Sequence, residues 1–167
     1  MNIRSAGLVI ASIALAACTH RDPTSAVPGV RNADFGTLNA AKLELVAEGG
    51  IAALQVKYSV DHDTRAYVYS QRHICSANCG APMDSASGTL SPAAADSLFS
   101  LVWAESPYGL RDDYGTTSGA ADMMTYTLTV TFEGSTKKIR ADDGTMPDAM
   151  RHIVDATRGI VAAARAK

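Results

Sequence analysis

The chain has 167 residues, 47% hydrophobic and 19% charged, with 15 Lys and Arg against 17 Asp and Glu for a formal net charge of −2. That length and balance suit one globular domain with a tail. They exclude a chain disordered throughout and a nucleic-acid binder, which needs clustered cations to release counterions; the one dense basic spot, Lys137 to Arg140, reads as a solvated strand.

Residues 1–17 read as a signal peptide. Arg4 supplies a short positive head, and an apolar, Ala-rich run extends from Ala6 to Ala17. Such a run, as helix, rises about 18 Å, well short of a hydrocarbon core of about 30 Å, so it suits export rather than a membrane span. Its end, Leu15-Ala16-Ala17-Cys18, resembles the bacterial lipobox. The resemblance implies cleavage before Cys18, a diacylglycerol on its thiol and a fatty acid such as palmitate on the new amine. Each buried methylene contributes about 0.8 kcal/mol, and two or more chains make a durable membrane anchor. Thr19 rather than Asp after the cysteine implies sorting to the outer membrane. The expected location is therefore the bacterial cell envelope, lipid-anchored and facing the periplasm. Residues 18–41, punctuated by Pro23, Pro28 and Gly29, keep no period and predict a flexible tether. Residues 42–167 predict a single domain, long enough to bury one core.

Within that domain, Leu43, Leu45 and Ala47 alternate with polar partners, the period of a half-buried strand. A Glu-Gly-Gly break follows. Leu54, Val56, Tyr58 and Val60 then share one face, and the run from Arg65 to Gln71 folds back on them as a hairpin across Asp61–Thr64. At Ser91 the period changes. Ser91 is a good N-cap with Pro92 at the first helical position, and Ala94, Leu98, Leu101, Val102 and Glu105 fall at helical spacing. A second hairpin places Tyr126, Leu128, Val130 and Phe132 inward and turns at Gly134-Ser135. The last helix has Thr145 set to cap, Asp148 three residues on and Pro147 in the first turn, with Met146, Met150, Ile153, Thr157, Ile160 and Ala164 on its buried side. The predicted fold is α+β: an antiparallel sheet of about five strands with two helices packed on one face, in the order β-β-β-α-β-β-α.

Candidate chemistry is sparse. Cys75 and Cys79, four residues apart, invite a disulfide in an oxidising compartment, worth roughly 2 kcal/mol on the chain-entropy account. Two free thiols are an alternative, and so is a metal- or redox-responsive site using His73, Cys75 and Cys79 with His62 further back. The C-x₃-C spacing and the lack of a second pair argue against zinc, so no metal and no cofactor is expected. No G-x-S-x-G motif is present, and Asp112-Asp113 and Asp142-Asp143 read as turn acids, so no catalytic residues are assigned and the protein is expected not to be an enzyme. The segment from Glu105 to Asp122 is long for an unstructured connection. It carries Tyr108, Arg111 and Tyr114 among Gly, Ser and Thr, with Trp103 just before, a composition that suits a protein-binding loop.

The domain as a whole resembles the emfourin-type family, small inhibitors of thermolysin-like (M4) metallopeptidases associated with protealysin. The resemblance runs through ELVAEGGIAALQVKYSVD, LSPAAADSLFSLVWAE, ADMMTYTLTVTFEG and MPDAMRHIVDA. Gly49, Gly50, Leu90, Asp122, Tyr126 and Pro147 carry the pattern, mostly at turn, cap and core positions. It implies a non-enzymatic module that binds a protein partner, a thermolysin-like protease being the specific expectation. The chain departs from the pattern in its tether, its lipid site and an insertion, RHICSANCGAPMDSASG, before the first helix. Envelope scaffolding or assembly is the rival reading.

Overall fold

The computed structural model describes residues 40–74, 82–117 and 122–166. Cys18, the expected leader and nearly all of the expected tether lie outside the described residues, as do Cys75 and Cys79. The strands are β1 (Lys42–Gly49), β2 (Leu54–Asp61), β3 (Ala66–His73), β4 (Asp84–Thr89), β5 (Met124–Phe132) and β6 (Ser135–Asp142). The helices are α1 (Pro92–Ala104), between β4 and β5, and α2 (Asp148–Arg165) at the end. The strands form one antiparallel sheet in the spatial order β4-β3-β2-β1-β5-β6. The class is the expected α+β one, with six strands rather than five.

The added strand is β4, which lies inside the apparent insertion. Its sequence, Asp-Ser-Ala-Ser-Gly-Thr, has no apolar alternation, and only Ala86 is even partly buried. Pairing with β3, from Ala66↔Thr89 to Gln71↔Asp84, makes it a strand, so backbone hydrogen bonding rather than side-chain burial defines it. Gly88 lies close under Tyr67: a Cβ there would lie 3.0 Å from the ring, which would have to shift to admit it.

β1 sits at the centre, its register placing Leu45 opposite Tyr58 of β2 and Leu128 of β5. One sheet face contributes Leu43, Leu45, Ala47, Val60, Tyr67, Tyr69, Tyr126, Leu128, Val130, Phe132, Ile139 and Ala141 to a single core with both helices. The opposite face is polar; Thr125, Thr127, Thr129 and Thr131 of β5 stand there beside Glu44, Glu48 and Lys138. The β5–β6 turn is centred on Glu133 and Gly134, at φ 48° and 81°, one residue earlier than expected. Two successive left-handed residues match the twist of a two-residue hairpin.

Ser91 caps α1 as expected, its hydroxyl accepting the Ala94 amide at 3.3 Å. The buried stripe is Ala95, Leu98, Phe99 and Val102, rotated from the one expected. Phe99 takes the central place because its ring meets Phe132 and His62 edge-on, at 6.3 and 5.0 Å between centroids. Leu101 is left half-buried, and Glu105 turns to α2, its Oε1 2.7 Å from His152 Nδ1. Thr145 does not cap α2. Pro147 precedes the helix without a side-chain cap, and the Thr145 hydroxyl instead accepts the Asp142 amide at 3.0 Å. Met150, Ile153, Val154, Thr157 and Val161 are the buried face of α2, with Ile160 and Ala164 half-buried beside them.

Candidate protein-binding surface

The segment after α1 is held against the sheet over its described length. Tyr108 lies at the β5–β6 turn, where its hydroxyl donates to the Ser135 carbonyl at 2.5 Å and accepts the Phe132 amide at 3.2 Å. Further along, Asp112 pairs with Lys137 at 2.5 Å and Asp113 with Arg140 at 3.7 Å. The Tyr114 amide donates to the Arg140 carbonyl at 2.9 Å, and the Arg140 amide to the Asp112 carbonyl at 2.8 Å. Residues 108–117 thus run parallel to β6 as a strap covering its edge, which would otherwise present open donors and acceptors.

The residues expected to bind a partner gather on this strap and its root. Trp103 is half-buried and stacks edge-on against Phe132 at 5.6 Å. Tyr108 leans on the same ring at 6.3 Å and remains 43% exposed. The Arg111 guanidinium lies 4.5 Å above the Tyr114 ring, and the Arg111 amide donates to the Tyr114 hydroxyl at 3.3 Å. Aromatic and cationic groups fixed this way lose little freedom on binding, which suits contact residues.

Asp142 ties the far end of the strap down, a role the sequence did not reveal. Only 2% exposed, its carboxylate accepts the Thr117 amide and hydroxyl, the Gly144 amide at 2.9 Å and the Thr145 amide at 2.8 Å. These donors, the Thr117 amide foremost, hold its carboxyl at about 2, below the ordinary carboxylate range. The Asp-Asp-Gly sequence predicts the turn but not the burial, because Thr117 stands 25 residues away.

The metal or redox alternative loses part of its ligand set. His73 ends β3, exposed, with Nδ1 3.1 Å from the Ala52 carbonyl. His62 lies past the other end of β2, in the β2–β3 turn, about 25 Å away along an eight-residue strand. Among the described residues no group of three or more His, Cys, Asp or Glu could hold a metal ion.

A second surface lies at the opposite end of the sheet from Tyr108. The β1–β2 turn, Gly49 to Ala53, carries Ile51 at its tip, 86% exposed. Ile74 and Met83, 45% and 56% exposed, flank the same end beyond β3 and before β4. The sequence read this turn only as a break. The available clue was an isoleucine placed directly after two glycines, outside the alternation of either strand.

The sequence profile of the Emfourin family matches residues 76–158. The body of this chain is emfourin-like. No curated protein matches the chain. The match takes in β4, α1, β5, β6 and the first eleven residues of α2; β1 to β3 complete the emfourin-like sheet, β1 pairing with β5 over their whole length. The six pattern residues take structural places in it. Gly49 and Gly50 form the β1–β2 turn with φ 122° and 69°, and Leu90 is buried at the entry to α1. Asp122 is exposed before β5, and Pro147 immediately precedes α2. Tyr126 is buried, its hydroxyl accepting from Arg158 Nη2 at 3.3 Å. Burial pushes that hydroxyl's pKa up, against the lowering influence of Arg158.

Proposed function

We propose that this protein is a non-enzymatic inhibitor module for a thermolysin-like metallopeptidase, held on the envelope through acylated Cys18. The observation that carries the reading is the Emfourin match over residues 76–158, on a fold whose core, turns and helix entries use the pattern residues. The braced strap adds to it: Tyr108, Arg111 and Tyr114 present a rigid, partly exposed surface at one edge, suited to the rim of a protein interface. In this reading the domain performs no chemistry of its own and occupies the partner's substrate cleft.

The test is the full chain, purified in detergent, titrated into a thermolysin-like peptidase during hydrolysis of a chromogenic peptide. Saturable loss of turnover supports the reading; unchanged turnover at micromolar chain removes it. The envelope placement is tested separately by mass spectrometry of the mature product, which is expected to begin at Cys18 with acyl chains attached. An unacylated amino terminus would remove the anchor. Thiol titration of the same exported product is expected to find Cys75 and Cys79 unreactive, as a disulfide.

A further inference from the structure

We propose that the free edge of β4 takes an extended peptide as a further strand, with two successive apolar side chains of that peptide seated on either side of the edge. This goes beyond the inhibitor reading and stands apart from it. The part of the edge concerned, Ser87 to Thr89, lies at the end of the sheet away from the β1–β2 turn.

The fold treats its two edges differently. The strap covers β6, with the Tyr114 amide on the Arg140 carbonyl and the Arg140 amide on the Asp112 carbonyl. At the other edge, no described strand lies outside β4. The Leu90 amide donates to the Arg65 carbonyl at 2.8 Å, and the next amide of β3, that of Ala66, turns back to the Thr64 hydroxyl at 3.3 Å. Bonded and non-bonded pairs alternate along an antiparallel ladder. Ser87 and Thr89 therefore aim their amides and carbonyls away from β3, out of the sheet. β4 also lacks the devices that close an edge to other chains. It has no proline and no lysine, and its single charge, Asp84, is already paired with Arg165 at 2.6 Å.

What flanks the edge decides what it takes. The register puts Ser87 beside Val68 on the open face of the sheet, and Ala86 and Gly88 beside Tyr69 and Tyr67 on the helix face. These β4 side chains are small and wall off neither side. Val68 is 51% exposed on a largely polar face. Its strand lies about 10 Å from one added beyond β4, so a large side chain on the added strand reaches it over Ser87. On the helix face, Leu90, Ala94, Ile160 and Ala164 line a groove of about 240 Å³ with Thr89 and Ser91 at its rim. Small-molecule sites run to roughly 300–1,000 Å³; this groove suits a single aliphatic or aromatic side chain. Successive residues of an extended chain point to opposite faces, so one peptide fills both places.

A second copy of β4 does not fit the edge. Its Ser, Ala, Ser and Gly side chains would leave Val68 and the groove uncovered. A six-residue pairing without large side chains also falls short of the roughly 1,200 Å² that specific interfaces bury. Charge favours a neutral occupant, because Asp84 and Arg165 neutralise each other and the rest of β4 is uncharged. Strand addition of this kind draws affinity from main-chain hydrogen bonds and selectivity from side-chain pockets.

The test titrates the full chain, purified in detergent, with capped hexapeptides that have threonine at both ends and two adjacent central residues drawn from Val, Leu, Ile and Phe. At least one peptide should bind saturably with Kd below about 1 mM and slow hydrogen exchange at the Ser87 and Thr89 amides. Methylating both central amides of that peptide keeps its side chains and removes its edge donor, and should raise Kd at least about tenfold. Ser87→Pro removes one outward donor and no bond to β3 and should weaken binding similarly, while Val68→Ser should raise Kd by about threefold. The methylated peptide needs no variant, so it decides the matter even where thermal unfolding shows that Ser87→Pro disturbs the fold. No binding by any peptide at millimolar concentration would overturn the proposal. So would binding that ignores methylation and leaves the Ser87 and Thr89 amides unprotected. Protection of those amides that grows with chain concentration in the absence of peptide would give the edge to a second copy, and would overturn it too. None of these results bears on peptidase inhibition, which stands or falls by its own assay.

Discussion

Replacing Gly49 by alanine tests how the sheet holds the tip. Gly49 closes β1 opposite Met124, at φ 122°, where a side chain is strained whatever space surrounds it. An added Cβ would also lie 2.7 Å from the Met123 carbonyl oxygen. That is a backbone atom and cannot swing aside. The dihedral alone costs about 1–3 kcal/mol, and relieving the clash by shifting the β1–β5 pairing costs a similar amount again, as overpacking does elsewhere. A loss of about 2–6 kcal/mol follows, or a fall in Tm of roughly 8–24 °C for a domain of this size. Gly50 provides the comparison within the same turn. Its φ is 69°, and its nearest neighbour to a new Cβ is the flexible Met124 sulfur at 3.3 Å, so Gly50→Ala should cost only about 1–2 kcal/mol. Urea unfolding followed by circular dichroism measures both. A Gly49→Ala chain within about 0.5 kcal/mol of wild type, or one less damaged than Gly50→Ala, would refute the account of the turn.

Further outcomes follow from the core, the strap and the buried acid. Leu128→Ala, at a fully buried site on β5, should cost about 2–5 kcal/mol in urea unfolding. Tyr108→Phe removes one donor and one acceptor at the β5–β6 turn, and should cost about 1–2 kcal/mol and speed hydrogen exchange at the Phe132 amide. Asp142 has its carboxyl held at about 2 when folded, below an unfolded value near 3.9. Its contribution is therefore fully present above about pH 4 and is lost as pH falls through 2. Asp142→Asn should lower Tm at pH 7 and flatten the fall in Tm between pH 4 and 2; an unchanged acid limb would contradict the assignment.

Most of the sheet was legible in the sequence because β1 and β5 each bury one face, and a buried face writes itself as alternation. Leu43, Leu45 and Ala47 are fully buried while Lys42, Glu44 and Glu48 are exposed, as the period demands. The Ser91–Pro92 start of α1 was equally plain, since capping is a local interaction. What escaped detection was whatever depends on partners far along the chain. β4 is a strand by pairing with β3, and its Ser- and Gly-rich sequence carries no face. The strap has no period because its role is to satisfy the β6 edge through Asp112, Asp113 and Tyr114. Thr145 has the chemistry of a cap, yet the buried Asp142 takes its amide. Of the four residues picked for binding, Trp103 lies at the end of α1 and the other three on the strap, and sequence could not tell that Phe132 would draw Trp103 and Tyr108 onto the body. Ile51 was overlooked for the opposite reason: exposure is the lack of a neighbour, and nothing local in a sequence records that.

The central claim is that this emfourin-like body binds a thermolysin-like metallopeptidase at its substrate cleft. Calorimetric titration of the full chain into such a peptidase, repeated with the cleft blocked by a small active-site inhibitor, tests it most directly. Saturating heat at one chain per enzyme, abolished by the blocker, is the predicted result. Absence of binding at micromolar concentrations, or binding indifferent to the blocker, would contradict it.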